Sequence, residues 1–221
     1  MTAFAYYRLP YLHHAHYVAQ REGEPEVLSS VAELNGKEGF VIAPFSPSSD
    51  CPVLLIHPDE SKLLPISDAK AISTSDSTLG EDASDRDAYA GAFECFHQEL
   101  EKGTFRKIVL ARKAIVRTAD KDFENLFMKA CRMYPRLFVS LVYTPQSGMW
   151  LMATPEILLK GEQGNMSTMS LAGTQKAEPS RTVADYPVEG VEWSHKNQEE
   201  QQYVTDYIED CIKAFADDYQ L

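Results

Sequence analysis

One stretch decides the fold of this chain: residues 106–112, which read RKIVLAR. Its centre is nearly continuous in Ile, Val and Leu, a pattern typical of a strand that is covered on both faces. We therefore predict a strand over Lys107–Val116. In that strand Lys107 shares a face with Val109 and Ala111, where its ammonium group would be poorly solvated. The alternative for Lys107 is a solvated charge at a strand edge, which is the usual state of a lysine.

A second stretch, residues 153–159 with the sequence ATPEILL, contributes a carboxyl group. Glu156 follows Pro155, and the apolar residues on both sides predict that it emerges from a buried hairpin. In such surroundings a carboxyl group keeps its proton more firmly and can serve as a general acid. The alternative is an exposed turn glutamate without a function. A lysine base and a carboxylic acid suffice to exchange one hydroxyl group for another on a polar ring.

The composition favours a protein that binds a small molecule. Of the 221 residues 44% are hydrophobic, as in ordinary globular proteins, and the formal net charge is −12. Because an acidic chain is poorly suited to phosphate backbones, no nucleic-acid partner is expected. The N-terminus does not resemble a signal peptide and no apolar run has the length of a bilayer span. This predicts a cytoplasmic protein without a membrane partner.

Turn-forming residues divide the chain into three parts. Residues 1–66 alternate short apolar runs with Pro, Gly and Ser and predict a strand-rich part. Residues 67–86 are rich in Ser, Asp and Thr and predict an acidic loop or linker. Residues 87–221 mix both kinds of element, so the fold class is α+β. We predict helices over Asp85–Lys102, Asp122–Met133 and Asn197–Ala216, and strands over Leu137–Tyr143, Met149–Ala153, Glu156–Lys160 and Asn165–Leu171.

Three motifs together resemble the chorismate-utilising enzymes, and among these the isochorismate synthases most closely. They are RKIVLAR at residues 106–112, TPE at residues 154–156 and LAGT at residues 171–174. The resemblance implies the chorismate-binding fold, of the anthranilate synthase component I type. This is an α/β sandwich of large, mostly antiparallel sheets flanked by helices. Residues 87–221 would then be the first part of the catalytic domain, and chorismate the small-molecule partner.

The resemblance also implies roles for four residues. In isochorismate and salicylate synthases the lysine of the first motif activates a water molecule that attacks C2 of chorismate, and this role falls on Lys107. The glutamate of the second motif protonates the departing C4 hydroxyl, and this role falls on Glu156. Gly173 and Thr174 match a segment that approaches the substrate. Aminodeoxychorismate synthases carry a nucleophilic lysine where this chain has Ala172, so water is the implied nucleophile.

Residues 194–204, SHKNQEEQQYV, resemble the family segment S-x-K-D-x-x-E-H-x-x-V. The resemblance implies that Glu200 is a ligand of Mg²⁺, an ion that prefers hard oxygen ligands. The alternative is an acidic first turn of a helix, in which Glu199 would serve equally well. The chain departs from the family pattern twice: Asn197 replaces an acidic residue, and Gln201 replaces a histidine.

The implied function is that of an isochorismate synthase, or an incomplete portion of one, serving menaquinone or siderophore synthesis. Because the family's domain continues beyond these motifs, we expect residues 1–221 alone to be inactive and to self-associate through exposed sheet edges. Alternatives are a salicylate synthase, which adds pyruvate elimination, and a non-catalytic member that binds a ligand or partner. His13, His14 and His16 fit either a zinc or nickel site or a surface strand.

Overall fold

The computed structural model describes residues 3–66, 78–79, 83–113, 116–117, 121–162, 164–174 and 192–214. Contacts group the chain into two compact units. Unit 1 comprises Met1–Ala71 and Asp122–Met169, and unit 2 comprises Ile72–Lys121 and Ser170–Leu221.

The described residues form twelve strands, three α-helices and one 3₁₀ turn. The strands are β1 (Ala3–Arg8), β2 (His14–Gln20), β3 (Glu26–Leu28), β4 (Phe40–Ile42), β5 (Val53–Ile56), β6 (Glu60–Pro65), β7 (Thr78–Leu79), β8 (Val116–Arg117), β9 (Phe138–Thr144), β10 (Gly148–Thr154), β11 (Lys160–Glu162) and β12 (Asn165–Ser167). The α-helices are α1 (Ala83–Glu101), α2 (Phe123–Met133) and α3 (His195–Lys213). A single 3₁₀ turn covers Val31–Leu34.

Unit 1 is built around a five-stranded antiparallel sheet with the strand order β10-β9-β1-β2-β6. Because side chains alternate along a strand, each strand presents a different set to each face. On one face, Val139 and Leu141 of β9 pack against Phe127 and Met128 of α2. Helix α2 presents an apolar stripe there because its buried residues recur at helical spacing.

The other face of this sheet packs against the three-stranded sheet β3-β5-β4. Ala5 and Val142 meet Ile56 of β5, whose four residues are all buried. Gly39 precedes β4 with φ +150°, and a Cβ there would lie 2.3 Å from the Ile56 carbonyl oxygen. Only glycine permits this close approach of the backbone. The larger sheet is therefore covered on both faces.

Arg8, at the end of β1, links the sheet to the carboxyl end of α2. Its side chain is 1% exposed, and its guanidinium donates to the carbonyl oxygens of Cys131, Tyr134 and Pro135. Carbonyl groups at a helix end carry partial negative charge, which favours a cation at this place.

In unit 2, helix α1 ends where the sequence predicts. Gly103 adopts φ +72°, and the N–H groups of Gly103 and Thr104 donate to the carbonyls of Leu100 and Glu99. A glycine in this left-handed conformation is the usual C-cap of a helix. The short strands β7 and β8 pair antiparallel.

The structure confirms the predicted α+β class with mostly antiparallel sheets and helices. The predicted helices correspond to α1, α2 and α3 with end shifts of a few residues, and the strands predicted over Leu137–Tyr143 and Met149–Ala153 correspond to β9 and β10. The predicted division of the chain after residue 66 and after residue 86 stays a prediction. Most of the expected loop at 67–86 lies outside the described residues.

Three strand predictions are wrong, in whole or in part. Residues 106–113 adopt no regular structure, and only β8 lies near the end of the strand predicted over Lys107–Val116. Residues 156–159 are also irregular, and the Thr168 hydroxyl contacts the carbonyls of both Ile157 and Leu158 there, which one neighbouring strand could not do. Strand β12 ends at Ser167, beyond which a side chain of α3 binds the backbone instead.

No helix in the described part of the chain has the length and apolar character needed to cross a membrane.

Candidate active site

Helix α3 organises the candidate site in unit 2. Ser194 caps its start by accepting a hydrogen bond from the Asn197 N–H at 3.2 Å. The partly covered residues of α3 recur three and four positions apart, so they form one face of the helix. These residues are Asn197, Glu200, Gln201, Val204, Thr205, Ile208, Glu209 and Ile212.

Lys107 and Glu200 form an ion pair on this face. The Lys107 Nζ lies 3.1 Å from the Glu200 Oε1, and the two side chains are 30% and 29% exposed. The neighbouring Glu199 is exposed and instead faces His195, with 3.5 Å between Oε2 and Nδ1. The structure therefore distinguishes the two adjacent glutamates, and only Glu200 points to the lysine.

The surroundings of Lys107 differ from those expected of a strand. Val109, which was predicted to share its covered face, is 76% exposed, whereas Ile108 and Leu110 are partly buried. The expected face is wrong because residues 106–113 are not pleated as a strand.

A groove of about 570 Å³ runs beside the ion pair. Aromatic residues of α1 form one wall, and the Arg106 guanidinium lies over the Tyr203 ring at 5.8 Å as a cation–π contact. The groove is lined by Tyr89, Phe93, Phe96, His97, Leu100, Arg106, Lys107, Ile108, Val109, Leu110, Lys196, Glu199, Glu200 and Tyr203. It combines apolar walls with three cations, Arg106, Lys107 and Lys196, and two carboxylates, Glu199 and Glu200.

Gly173 and Thr174 lie against the same face of α3. A Cβ on Gly173 would be 3.3 Å from the Cβ and carbonyl oxygen of Asn197. This contact is so tight that the helix would have to shift to accommodate it. The Asn197 carboxamide donates to the Thr174 carbonyl at 3.2 Å. The glycine thus allows the backbone of this segment to lie close to the helix.

Glu156 belongs to unit 1, whereas the other four predicted site residues belong to unit 2. It follows β10, is exposed, and its N–H donates to the Thr154 Oγ1 at 3.3 Å. The expected buried hairpin is half right. Strand β9 is buried, but β10 lies at the edge of the sheet and Trp150 is 53% exposed.

The described residues do not make a magnesium site by themselves. Among them no three His, Cys, Asp or Glu side chains lie close enough to hold a metal ion. Glu200 offers one carboxylate, a hard oxygen ligand that suits Mg²⁺, but its described neighbour is the Lys107 cation. Among the described residues, Glu200 is therefore the one proposed magnesium ligand that the structure supports.

Two of the histidines near the N-terminus pack against neighbouring rings. The rings of His14 and His16 lie 5.5 Å apart, and His16 stacks on Tyr7 at 4.8 Å. This arrangement corresponds to the surface-strand interpretation, since β2 pairs with β1 and β6 there.

Two functional features of α3 were not recognised in the sequence. The residues Asn197 and Gln201 were identified only as departures from a family pattern, yet both bind the backbone of residues 170–174. Their spacing of four, with Glu200 between them, places all three on one helix face and was the available signal.

Fold and sequence together define the class of this protein: it belongs to the chorismate-binding enzymes. The model of the family described as "Chorismate binding enzyme" matches residues 54–221. A solved structure from Bacillus anthracis, provisionally named a 2,3-dihydroxybenzoate-specific isochorismate synthase, DhbC, shares the fold with a TM-score of 0.72. The two sequences are 17% identical, and the match covers 98% of this chain and 61% of that one. No curated protein matches the sequence significantly.

Proposed function

We propose that this chain carries the catalytic groups of an isochorismate synthase, which converts chorismate to isochorismate. The observation that supports this best is the contact between Lys107 and Glu200. The family resemblance assigns a base to one and a metal carboxylate to the other, and they come from distant parts of the sequence. Two groups that must act on one small substrate would be expected to lie this close.

The proposed reaction replaces one hydroxyl group by another. A water oxygen bonds to C2 of chorismate while the bond between C4 and its hydroxyl breaks, and the ring double bonds shift between them. Lys107 takes the proton of the attacking water, and Glu156 gives a proton to the departing hydroxyl. Atoms and charges balance, because one water is consumed and one is released.

The remaining proposed roles concern binding. Gly173 and Thr174 present their backbone to the substrate, and the cations Arg106 and Lys196 line the groove where its carboxylates would be attracted. When bound, Mg²⁺ would screen the negative charge of a carboxylate, and Glu200 is the proposed ligand. A cytoplasmic location remains part of this proposal.

Replacement of the proposed base tests the function. In the complete polypeptide that carries this sequence, Lys107→Met should lower turnover of chorismate by about 10²–10⁴-fold, the usual contribution of general acid–base catalysis. Lys113→Met, in the same segment but exposed, is the matched control and should retain activity. Products are separated chromatographically, and circular dichroism verifies folding.

The products decide between the related functions. Isochorismate supports the proposal, salicylate with pyruvate would identify a salicylate synthase, and no turnover by the wild type would favour a non-catalytic member. Near-normal turnover by folded Lys107→Met would contradict the role of the lysine.

We also propose that residues 1–221 alone turn over chorismate poorly. The Lys107 side chain is still 30% exposed beside an open groove, so bulk water reaches the place where the proposed reaction would occur. Steady production of isochorismate by a monomer of residues 1–221 would show that this account of the groove is wrong.

A further inference from the structure

The carboxamide of Gln201 binds the backbone of residues 170–172 through both of its polar atoms. Its Oε1 accepts from the Ala172 N–H at 2.9 Å, and its Nε2 donates to the Ser170 carbonyl at 2.8 Å. The same Nε2 also lies 2.8 Å from the Ser170 Oγ. A carboxamide holds a donor and an acceptor side by side, so one side chain serves two backbone groups that a β-ladder would otherwise pair.

The same helix holds the segment at two further points. The Asn197 Nδ2 donates to the Thr174 carbonyl at 3.2 Å, and the Ser170 Oγ lies 3.0 Å from the Thr205 Oγ1. The anchored residues therefore alternate along the segment, at Ser170, Ala172 and Thr174. Gly173, between the last two of them, lies close against Asn197 of the helix.

The carboxamide cannot be replaced freely by the imidazole that the family pattern has at this place. The two nitrogens of an imidazole point in diverging directions, whereas the oxygen and nitrogen of a carboxamide point to the same side. An imidazole could bind the Ala172 N–H or the Ser170 carbonyl, but not both. A glutamine at position 201 therefore makes two backbone hydrogen bonds that the family's histidine could not make together.

We propose that Gln201 and Asn197 are positioning residues that fix the Ser170–Thr174 backbone on α3, beside Glu200, so that Gly173 and Thr174 can receive the substrate. The inference rests on the proposed function for its kinetic consequence. The ligand chemistry is that of a small carboxylate or hydroxyl compound that backbone groups bind. Neither residue touches the reacting atoms, and both act through the segment they hold.

The test compares two adjacent glutamines in the complete polypeptide. Gln201→Leu removes the contacts to the segment. The matched control Gln202→Leu changes an exposed residue that bonds only along its own helix, to the Asp206 Oδ1 at 2.7 Å. Hydrogen exchange of the Ala172 amide, followed by NMR, should accelerate at least about tenfold in Gln201→Leu and stay unchanged in the control, because a hydrogen-bonded amide must open before it exchanges.

Kinetics provide the second readout. In Gln201→Leu the KM for chorismate should rise about 10-fold or more with kcat little changed, because a substrate-binding segment has lost its position. A merely structural role would instead lower the active fraction and leave KM unchanged. Asn197→Ala, which favours the helix and removes one contact, should raise KM by a smaller factor and serves if Gln201→Leu does not fold.

Each outcome decides the inference. Faster exchange together with a raised KM supports it. Unchanged exchange of the Ala172 amide overturns it whatever the activity, and faster exchange with an unchanged KM overturns the positioning role. Absence of turnover by the wild type would refute the proposed function, and the exchange measurement would still decide whether Gln201 holds the segment.

Discussion

The contact between Arg8 and the end of α2 predicts a large stability effect. Pro135 lies four residues after Cys131 and has no N–H, so the Cys131 carbonyl lacks the ordinary helical donor. The Arg8 guanidinium supplies a donor at 3.4 Å. Replacing Arg8 by Met keeps most of the buried stem but removes the three hydrogen bonds to Cys131, Tyr134 and Pro135.

The size of the stability loss depends on which hydrogen bonds each carbonyl keeps after the guanidinium is removed. The Pro135 oxygen still accepts from the Tyr11 N–H at 2.8 Å, and the Tyr134 oxygen from the Leu137 N–H at 3.1 Å. Loss of the Arg8 hydrogen bonds to these two oxygens should therefore cost about 1 kcal/mol each. The Cys131 carbonyl is left without a partner, which should cost about 1–3 kcal/mol. Relief from burying a charge offsets part of this sum. We therefore expect Arg8→Met to lower the free energy of unfolding of unit 1 by about 2–4 kcal/mol.

The assay is urea denaturation followed by tryptophan fluorescence in a Trp193→Phe background, so that Trp150 of β10 reports on unit 1. Arg21→Met is the control, because Arg21 is 49% exposed and pairs with Glu60 on the surface. An exposed pair of this kind contributes little to stability. If Arg8→Met shifted the transition no more than Arg21→Met, the assigned role of the guanidinium would be refuted.

Three further predictions concern other parts of the molecule. Glu200→Gln should raise the magnesium concentration required for activity far more than Glu199→Gln, since only Glu200 lies beside Lys107; equal shifts would indicate only an acidic helix start. Burial, and after it the charge of Glu124, raises the pKa of Tyr6 to about 12. Stability that depends on neutral Tyr6 is therefore complete below about pH 10, the unfolded pKa, and is lost as the pH rises towards 12. Tyr6→Phe should reduce that loss in denaturation at high pH, and an identical pH profile would contradict it. Trp150→Lys, on the edge strand β10, should weaken self-association in sedimentation velocity, because a charge at an edge opposes strand pairing; unchanged association would exclude this edge as the interface.

The helices and the central strands could be predicted because their signals are local. Apolar residues of α2 recur at helical spacing, and those of β9 fit a buried strand, so each element contains its own evidence. The apolar run after Lys107 has the same composition but lacks a strand partner in the described part of the chain. Composition does not specify a partner, and this is why that prediction was wrong.

The sequence predicted which residues form the candidate site, but not the contacts that hold them in place. The motifs identified Lys107 and Glu200, while their contact depends on how the irregular segment meets α3. At Ser170 and Ala172, a glutamine side chain replaces the backbone of a strand. No local sequence pattern indicates such a contact, because it joins residues that are far apart in the sequence.

The face of α3 that bears Asn197, Glu200 and Gln201 makes the site sensitive to insertions and deletions. A single residue inserted between Gln201 and Val204 would turn this face by about 100° relative to the rest of the helix and separate the carboxylate from Lys107. An insertion of four residues would restore the direction to within about 40° but displace the three side chains by about 6 Å along the axis. Natural variation in length should therefore accumulate in the loops of this fold, while the spacing from Asn197 to Val204 stays constant among relatives that keep the site.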